Sequence, residues 1–309
     1  MAQSKSFFGL RRGSTKTLTF SVYNGKQVTK DRVTDVKNPR SSAQMKQRAI
    51  MATALRGYSA LKEICDHSFE GITYGQKSMN YFVAENARMI RSAAPSVNLS
   101  LSKGNSVSNA YIISKGSLHA INISVDTYQN DKKLVFVPNA SITSGFTFGK
   151  LMAMFGATEI GDMVTFVNLV DNTDSDASIY WVRLKLTSKN VSKSLDVAEK
   201  PVRFWQDMVE GEDFETNIDN FTGDEFAFTL VQATGGDAII LGSTWDGIGD
   251  KPVGTIPSQS LGVILSRKSE TGWLRSSSTM VNLFDTYNYD KALATYPENG
   301  EKILNGGNV

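Results

Sequence analysis

The chain has few of the residues from which catalytic and metal sites are usually built. Among 309 residues there is one cysteine, Cys65, so an intrachain disulfide and a cysteine-rich zinc site are both excluded. There are two histidines. His67 is expected in a turn between helices and His119 in a strand, and the Cys65-x-His67 pair alone is a weak metal or nucleophile signal. No stretch approaches the roughly 18 apolar residues of a membrane span, and the opening "MAQSKSFFGLRRGS" has no apolar core of signal-peptide length. The expectation is therefore synthesis in a reducing cytosol and no membrane partner. "DNTDSD" (171–176) fails the EF-hand pattern, with Thr173, Asp176 and Val182 where a ligand, Gly and Glu are required. "GIGDKPVG" (247–254) has the wrong glycine spacing for a dinucleotide loop. No local signature supports a pair of catalytic acids. No catalytic residue, metal or cofactor is expected, and the protein is not expected to be an enzyme.

What is present is an ordinary globular composition, 40% apolar and 21% charged, with an uneven charge distribution. Residues 1–62 hold 13 Lys and Arg against 2 Asp, a net +11, whereas the other 247 residues hold 20 basic and 29 acidic residues, a net −9. Such a split points to a charged partner: the negative body of another copy, or nucleic acid.

Residues 16–33, "KTLTFSVYNGKQVTKDRV", read as a β-hairpin, because Asn24-Gly25 suits a two-residue turn with positive φ. Leu18, Phe20 and Val22 alternate onto one face, and counting back from the turn puts Gln27, Thr29 and Asp31 opposite them. Such a half-apolar hairpin is marginal alone and must dock on its own body or on a neighbour. After Asn38-Pro39 the chain turns helical, with Ser41 or Ser42 as N-cap. Met51, Leu55, Tyr58, Leu61 and Cys65 form an apolar stripe, and Gln44, Lys46, Gln47, Arg48 and Arg56 lie on other faces. "DHSFEGITYG" (66–75) breaks the helix. A second helix follows with Met79, Phe82, Val83, Asn86 and Ile90 on one side, which makes an αα-hairpin. Its loop is too long, and its basic residues wrongly placed, for a DNA-reading helix-turn-helix.

From residue 97 the pattern becomes short and β-rich. "HAINISVDTY", "KKLVFVPN", "DMVTFVNLV", "IYWVRLKLTS", "EFAFTLVQAT", "AIILGST", "LGVILSRKS" and "TGWLRSSSTMVNLF" are predicted strands, with a short helix in 144–157. Trp181, Trp205, Trp245 and Trp273 fit core packing better than a sugar-stacking platform. The acidic stretch 207–225 is a candidate receiving surface for the basic arm. The fold class is α+β, mainly β: an N-terminal β-hairpin arm (1–35), a helical hairpin (36–95) and one or two β-sandwich or barrel-like modules (96–200 and 201–309).

The run Asn38-Pro39-Arg40-Ser41-Ser42-Ala43-Gln44-Met45-Lys46-Gln47-Arg48 resembles the signature N-P-[RK]-[ST]-x-A-Q-x-x-Q-R of structural proteins of crAss-like bacteriophages and of related uncharacterised Bacteroidales proteins. "DHSFEGITYGQKSMNYF" (66–82), "ILSRKSETGWLRSSSTM" (264–280) and "YPENGEKILNGG" (296–307) extend the resemblance. It implies a multi-copy virion component assembled in the host bacterial cytoplasm: a neck or tail-barrel ring, or a capsid accessory subunit. The implied partners are further copies in a ring or shell, and portal, tail or capsid proteins, with non-specific contact to phage DNA. Read together with the arm, it makes Phe7, Phe8, Arg11, Arg12, Leu18, Phe20, Val22, Gln44, Gln47 and Arg48 the candidate interface residues. The alternative is a host-surface or glycan-binding β-protein without catalytic activity.

Overall fold

The computed structural model describes residues 2–4, 12–23, 26–32, 42–93, 109–121, 124–128, 131–136, 145–171, 178–195, 208–221, 227–233, 236–242 and 258–285. Two compact units divide the chain, Met1–Ser41 and Ser42–Val309. In the first, β1 (Ala2–Ser4), β2 (Gly13–Ser14), β3 (Leu18–Tyr23) and β4 (Lys26–Asp31) form a four-stranded antiparallel sheet in the order β1-β4-β3-β2. The Asn24-Gly25 turn itself lies outside the described residues. The register on either side of it pairs Tyr23 with Lys26, Val22 with Gln27, Phe20 with Thr29 and Leu18 with Asp31, which is the facing set expected from a two-residue connection. Gln27 and Val28 of β4, one of the two inner strands, are buried.

The second unit opens with α1 (Ser42–Cys65) and α2 (Gln76–Ala93); Ser41 lies outside the described residues, as does any capping contact. The buried side of α1 is Ile50, Ala54, Tyr58, Leu61, Ile64 and Cys65, whereas Met51 is 51% exposed. The expected stripe is thus rotated by one residue at its start. Gly57 lets Tyr111 lie against α1, since a Cβ there would sit 2.9 Å from the Tyr111 ring. On α2, Phe82, Val83, Asn86 and Ile90 are buried and Met79 is half-buried.

The remaining elements are β5 (Ile112–Ser114), β6 (Ser124–Tyr128), β7 (Asp131–Phe136), α3 (Phe148–Met154), β8 (Met163–Asp171), β9 (Ser178–Lys185) and β10 (Phe214–Thr216). They are followed by β11 (Ala227–Ala233), β12 (Gly236–Gly242), β13 (Ser258–Ser269), β14 (Gly272–Arg275), β15 (Ser278–Thr279) and β16 (Val281–Asp285). Each of the eight predicted segments contains or overlaps a strand. His119 is a correction: it precedes β6, outside any strand, and is exposed. Asn86 joins α2 to β5 as a strand neighbour would, its side chain donating to Ile112 O at 3.0 Å and accepting from Ile112 N at 2.8 Å.

The expected boundary at residue 200 does not separate the sheets. One sheet runs β10-β9-β8-β13-β14, with β16 also on β13, and another runs β11-β12-β7-β6. Each combines strands from both sides of residue 200, because β13 pairs with β8 along nine residues and β12 pairs with β7. The helical hairpin is likewise no separate module, since it shares a core with this sheet. All these ladders are antiparallel, and the fold is α+β, mainly β.

Alternation along β8, β9 and β13 sorts their side chains into two cores. Val164, Phe166, Val182, Leu184, Val263 and Leu265 pack with Phe148, Leu151, Met152 and Phe155 of the α3 region. On the opposite face Val167, Leu169, Trp181 and Ile264 pack with α1 and α2. Leu61 is fully buried in this second core, so Leu61→Ala should cost about 2–5 kcal/mol. Met51→Ala should cost less than about 0.5 kcal/mol. Urea denaturation of both variants checks which side of α1 faces the core.

Candidate functional site

The face of the central sheet that carries α1 and α2 changes character along its length. Under the helices it is apolar. Beyond them it becomes polar: Arg183 pairs across from Thr165, Lys185 from Met163, and Met163 in turn from Ser266. β14 extends that row by placing Arg275 opposite Ser266, and β10 places Glu215 opposite Arg183. At this point α1 has ended, and the loop 66–75 lies across from the sheet. Between loop and sheet is a cleft of about 920 Å³, walled by Glu63, His67, Glu70 and Ile72 on one side and by Thr165, Trp181, Arg183, Ile264, Trp273 and Arg275 on the other.

The loop is fixed at both ends. Asp66 accepts from Gly75 N at 3.3 Å and from the Tyr58 hydroxyl. Burial first, and Asp66 second, raise the Tyr58 pKa to about 12. Ser78 Oγ donates to Cys65 O at 2.8 Å, tying the start of α2 to the end of α1. Ser114 Oγ lies within hydrogen-bond reach of Ser68 O at 2.9 Å and of Ser276 O at 2.7 Å.

Glu70 binds the loop to the sheet. Its carboxylate accepts from Ser117 N at 2.9 Å, from Ser117 Oγ at 3.0 Å and from Arg275 N at 3.2 Å. Gly116 permits this approach: a Cβ there would lie 2.2 Å from Arg275 O and 2.6 Å from Glu70 Oε2. The Ser117 N–H, then the Arg275 N–H and the Ser117 hydroxyl, hold the Glu70 carboxyl below its ordinary pKa, against the opposing effect of burial.

Arg275 is only 8% exposed. Its Nε donates to His67 O at 2.8 Å and its guanidinium lies over the Trp273 ring, 5.3 Å from the centroid. Nη1 and Nη2 have no hydrogen-bond partner among the described residues. Burial first, and the charge of Arg183 second, lower its pKa to about 10, with Glu70 acting the other way. It is still a cation at neutral pH. Arg183 repeats the arrangement on β9: it lies 5.0 Å from the Trp181 centroid, donates to Thr165 Oγ1 at 3.2 Å and pairs with Glu215 at 3.0 Å. Trp181 Nε1 is buried without an acceptor among the described residues.

The expected interface residues fall elsewhere. Phe7, Phe8 and Arg11 lie outside the described residues, and Arg12 is exposed. Leu18, Phe20 and Val22 share one face of β3 in the Met1–Ser41 unit and are partly buried. Gln44 and Gln47 are on exposed positions of α1 and Arg48 is half-buried. Gln47 accepts from Arg91 Nη2 at 3.3 Å, a contact with α2 inside the Ser42–Val309 unit. The acidic stretch is partly neutralised within the unit. Glu212 pairs with Lys189 at 3.0 Å, Glu215 pairs with Arg183, and Asp213 is buried and accepts from Asn190 Nδ2 at 3.0 Å. Cys65 is buried, and burial pushes its thiol pKa up. His67 contributes its carbonyl to Arg275 and its ring to a contact with Tyr74. Trp205 and Trp245 lie outside the described residues, as do residues 172–176 of "DNTDSD" and the whole of "GIGDKPVG". Among the described residues, no group of three or more His, Cys, Asp or Glu could hold a metal ion, and no helix is long and apolar enough to cross a membrane.

The cleft has a sequence signal that escaped the reading above: Trp-x-Arg occurs twice, as Trp181-Val182-Arg183 and Trp273-Leu274-Arg275. In a strand, residues i and i+2 share a face, so each Arg can stack on its own Trp. No protein-family model, curated protein or solved structure matches the chain.

The lowered Glu70 pKa has a defined linkage. A carboxyl whose folded pKa is depressed contributes stability above its ordinary value, here 4.5, and loses it as pH falls through the folded value. Glu70→Gln should therefore be less stable than the parent at pH 7. The gap should narrow below about pH 4.5, as thermal melts across pH 3–7 would reveal.

Proposed function

We propose that this chain is a multi-copy bacteriophage virion structural protein of the crAss-like kind that its Asn38–Arg48 stretch resembles. It would act without catalysis, as a neck or tail-barrel ring subunit or a capsid accessory subunit. The observation that carries the reading is an N-terminal unit with adhesive surface to spare. Met1–Ser41 is compact in its own right, yet Leu18, Phe20 and Val22 are only partly buried and Tyr23 is 72% exposed. The facing strand supplies Gln27, Thr29 and Asp31 and no apolar side chain to that face. The unlike net charges of residues 1–62 and of the rest add attraction between copies.

Exposed ion pairs contribute only about 0–1 kcal/mol each. In this reading the apolar residues of the arm supply most of the affinity, and charge sets orientation and encounter rate. The receiving partner is a second copy, followed by portal, tail or capsid proteins as the virion grows in the bacterial cytoplasm.

Native mass spectrometry and negative-stain imaging of the full chain and of a variant lacking residues 1–35 test this. Rings or shells from the full chain, and a folded, largely monomeric truncated protein, are expected. A monomeric full chain, or a truncated protein that unfolds or assembles unchanged, overturns the reading. Tight binding of the full chain to duplex DNA, falling steeply with salt, would assign the arm to the genome instead of a neighbouring subunit.

A further inference from the structure

We infer that the cleft between the loop 66–75 and the central sheet binds a carboxylated sugar, with the carboxylate on Arg275 and the ring against Trp273. Four observations carry this. The first is an unused edge on a buried cation. Trp273 covers the plane of the Arg275 guanidinium and His67 O takes its Nε. The end bearing Nη1 and Nη2 is left with no partner among the described residues. That end has the two parallel N–H groups that match a planar carboxylate.

The second is charge. The ionised side chains lining the cleft are Arg183, Lys185 and Arg275 against Glu63, Glu70 and Glu215, a balance of zero. A polyanion such as nucleic acid needs an excess of positive charge. A single carboxylate needs only one guanidinium with N–H groups free to donate.

The third is the character of the walls. Trp273 is 39% exposed, and Thr165, Ser266 and Thr271 add hydroxyl groups to the same lining. A pyranose offers a C–H face for the indole and a hydroxyl rim for such groups. The volume of about 920 Å³ suits a small ligand or a short saccharide.

The fourth is position. The cleft is lined by side chains on one face of the sheet, with those of the edge strands β10 and β14 at its margins. An extended peptide is usually captured by main-chain pairing along a strand edge, whereas the groups that face this cleft are side chains.

The inference is independent of the assembly reading, because it concerns only residues of the Ser42–Val309 unit. The test uses the full chain and tryptophan fluorescence, confirmed by calorimetry. The probes are D-glucuronate, D-glucose, acetate, inorganic phosphate and an Asp-containing dipeptide. Saturable binding of glucuronate at least tenfold tighter than any other probe is expected. Trp273→Ala, at a partly exposed position, should weaken glucuronate binding at least tenfold while leaving the melting temperature nearly unchanged. Arg275→Lys should weaken it similarly, since a point charge cannot form the paired contact. If Arg275→Lys does not fold, Lys185→Ala serves as the comparison: it should weaken binding less than Trp273→Ala does. Glucose or acetate binding as well as glucuronate, a preference for phosphate or the dipeptide, no binding by any probe, or an unaffected Trp273→Ala each overturns the inference.

Discussion

The structure of the Ser42–Val309 unit depends on a sheet that must be covered on both faces. Antiparallel sheets often leave one face wet. Here β8 is buried on both sides for most of its length, and so is β13 over residues 260–266. This constraint explains why the helical hairpin belongs to the same unit as the strands, and why the α3 region is needed on the other face. It also explains the cleft. Where α1 ends, the sheet continues, and its outward residues change from Val, Leu and Ile to Thr, Arg, Lys and Ser. The site is the part of one sheet face that extends past its helical cover.

Much of this was legible from local pattern. The Asn24-Gly25 signal led to the correct facing set in the hairpin, because a two-residue turn leaves one register. Helix boundaries followed from the breaker segment 66–75, and strand positions from alternation and turn residues. What local pattern could not supply was partnership. Nothing within 258–269 says that it pairs with 163–171, a separation of nearly a hundred residues. Local pattern therefore puts a boundary near residue 200 that the strand pairing crosses. Ile50 and Met51 are adjacent apolar residues, so apolar identity alone does not choose between them; tertiary contact selects Ile50, Ala54 and Ile64.

The two surfaces proposed here to be functional rest on opposite physical principles. The arm has apolar groups that its own strands do not fully cover, so its chemistry is that of association. The cleft has a cation whose plane and one edge are satisfied and whose other edge is not, so its chemistry is that of orientation. Glu70 connects the latter to the fold. It accepts from Ser117 and from the Arg275 backbone, and the Gly116 position keeps that approach free of a side chain. The residues that would meet a ligand are thus held by the same contacts that attach the inter-helix loop to the sheet. The loop is part of the scaffold and not a lid over it.

The single thiol has a use outside any biological role. Cys65 lies at the last turn of α1, fully buried, with its Sγ 3.7 Å from Ile113 O. Both the raised pKa and the lack of access suppress its reactivity in the closed state. A thiol reagent can modify it only when the end of α1 separates from β5. The native chain therefore contains its own reporter of local opening, at the junction on which both the helical cover and the cleft wall depend, and needs no engineered label to read it.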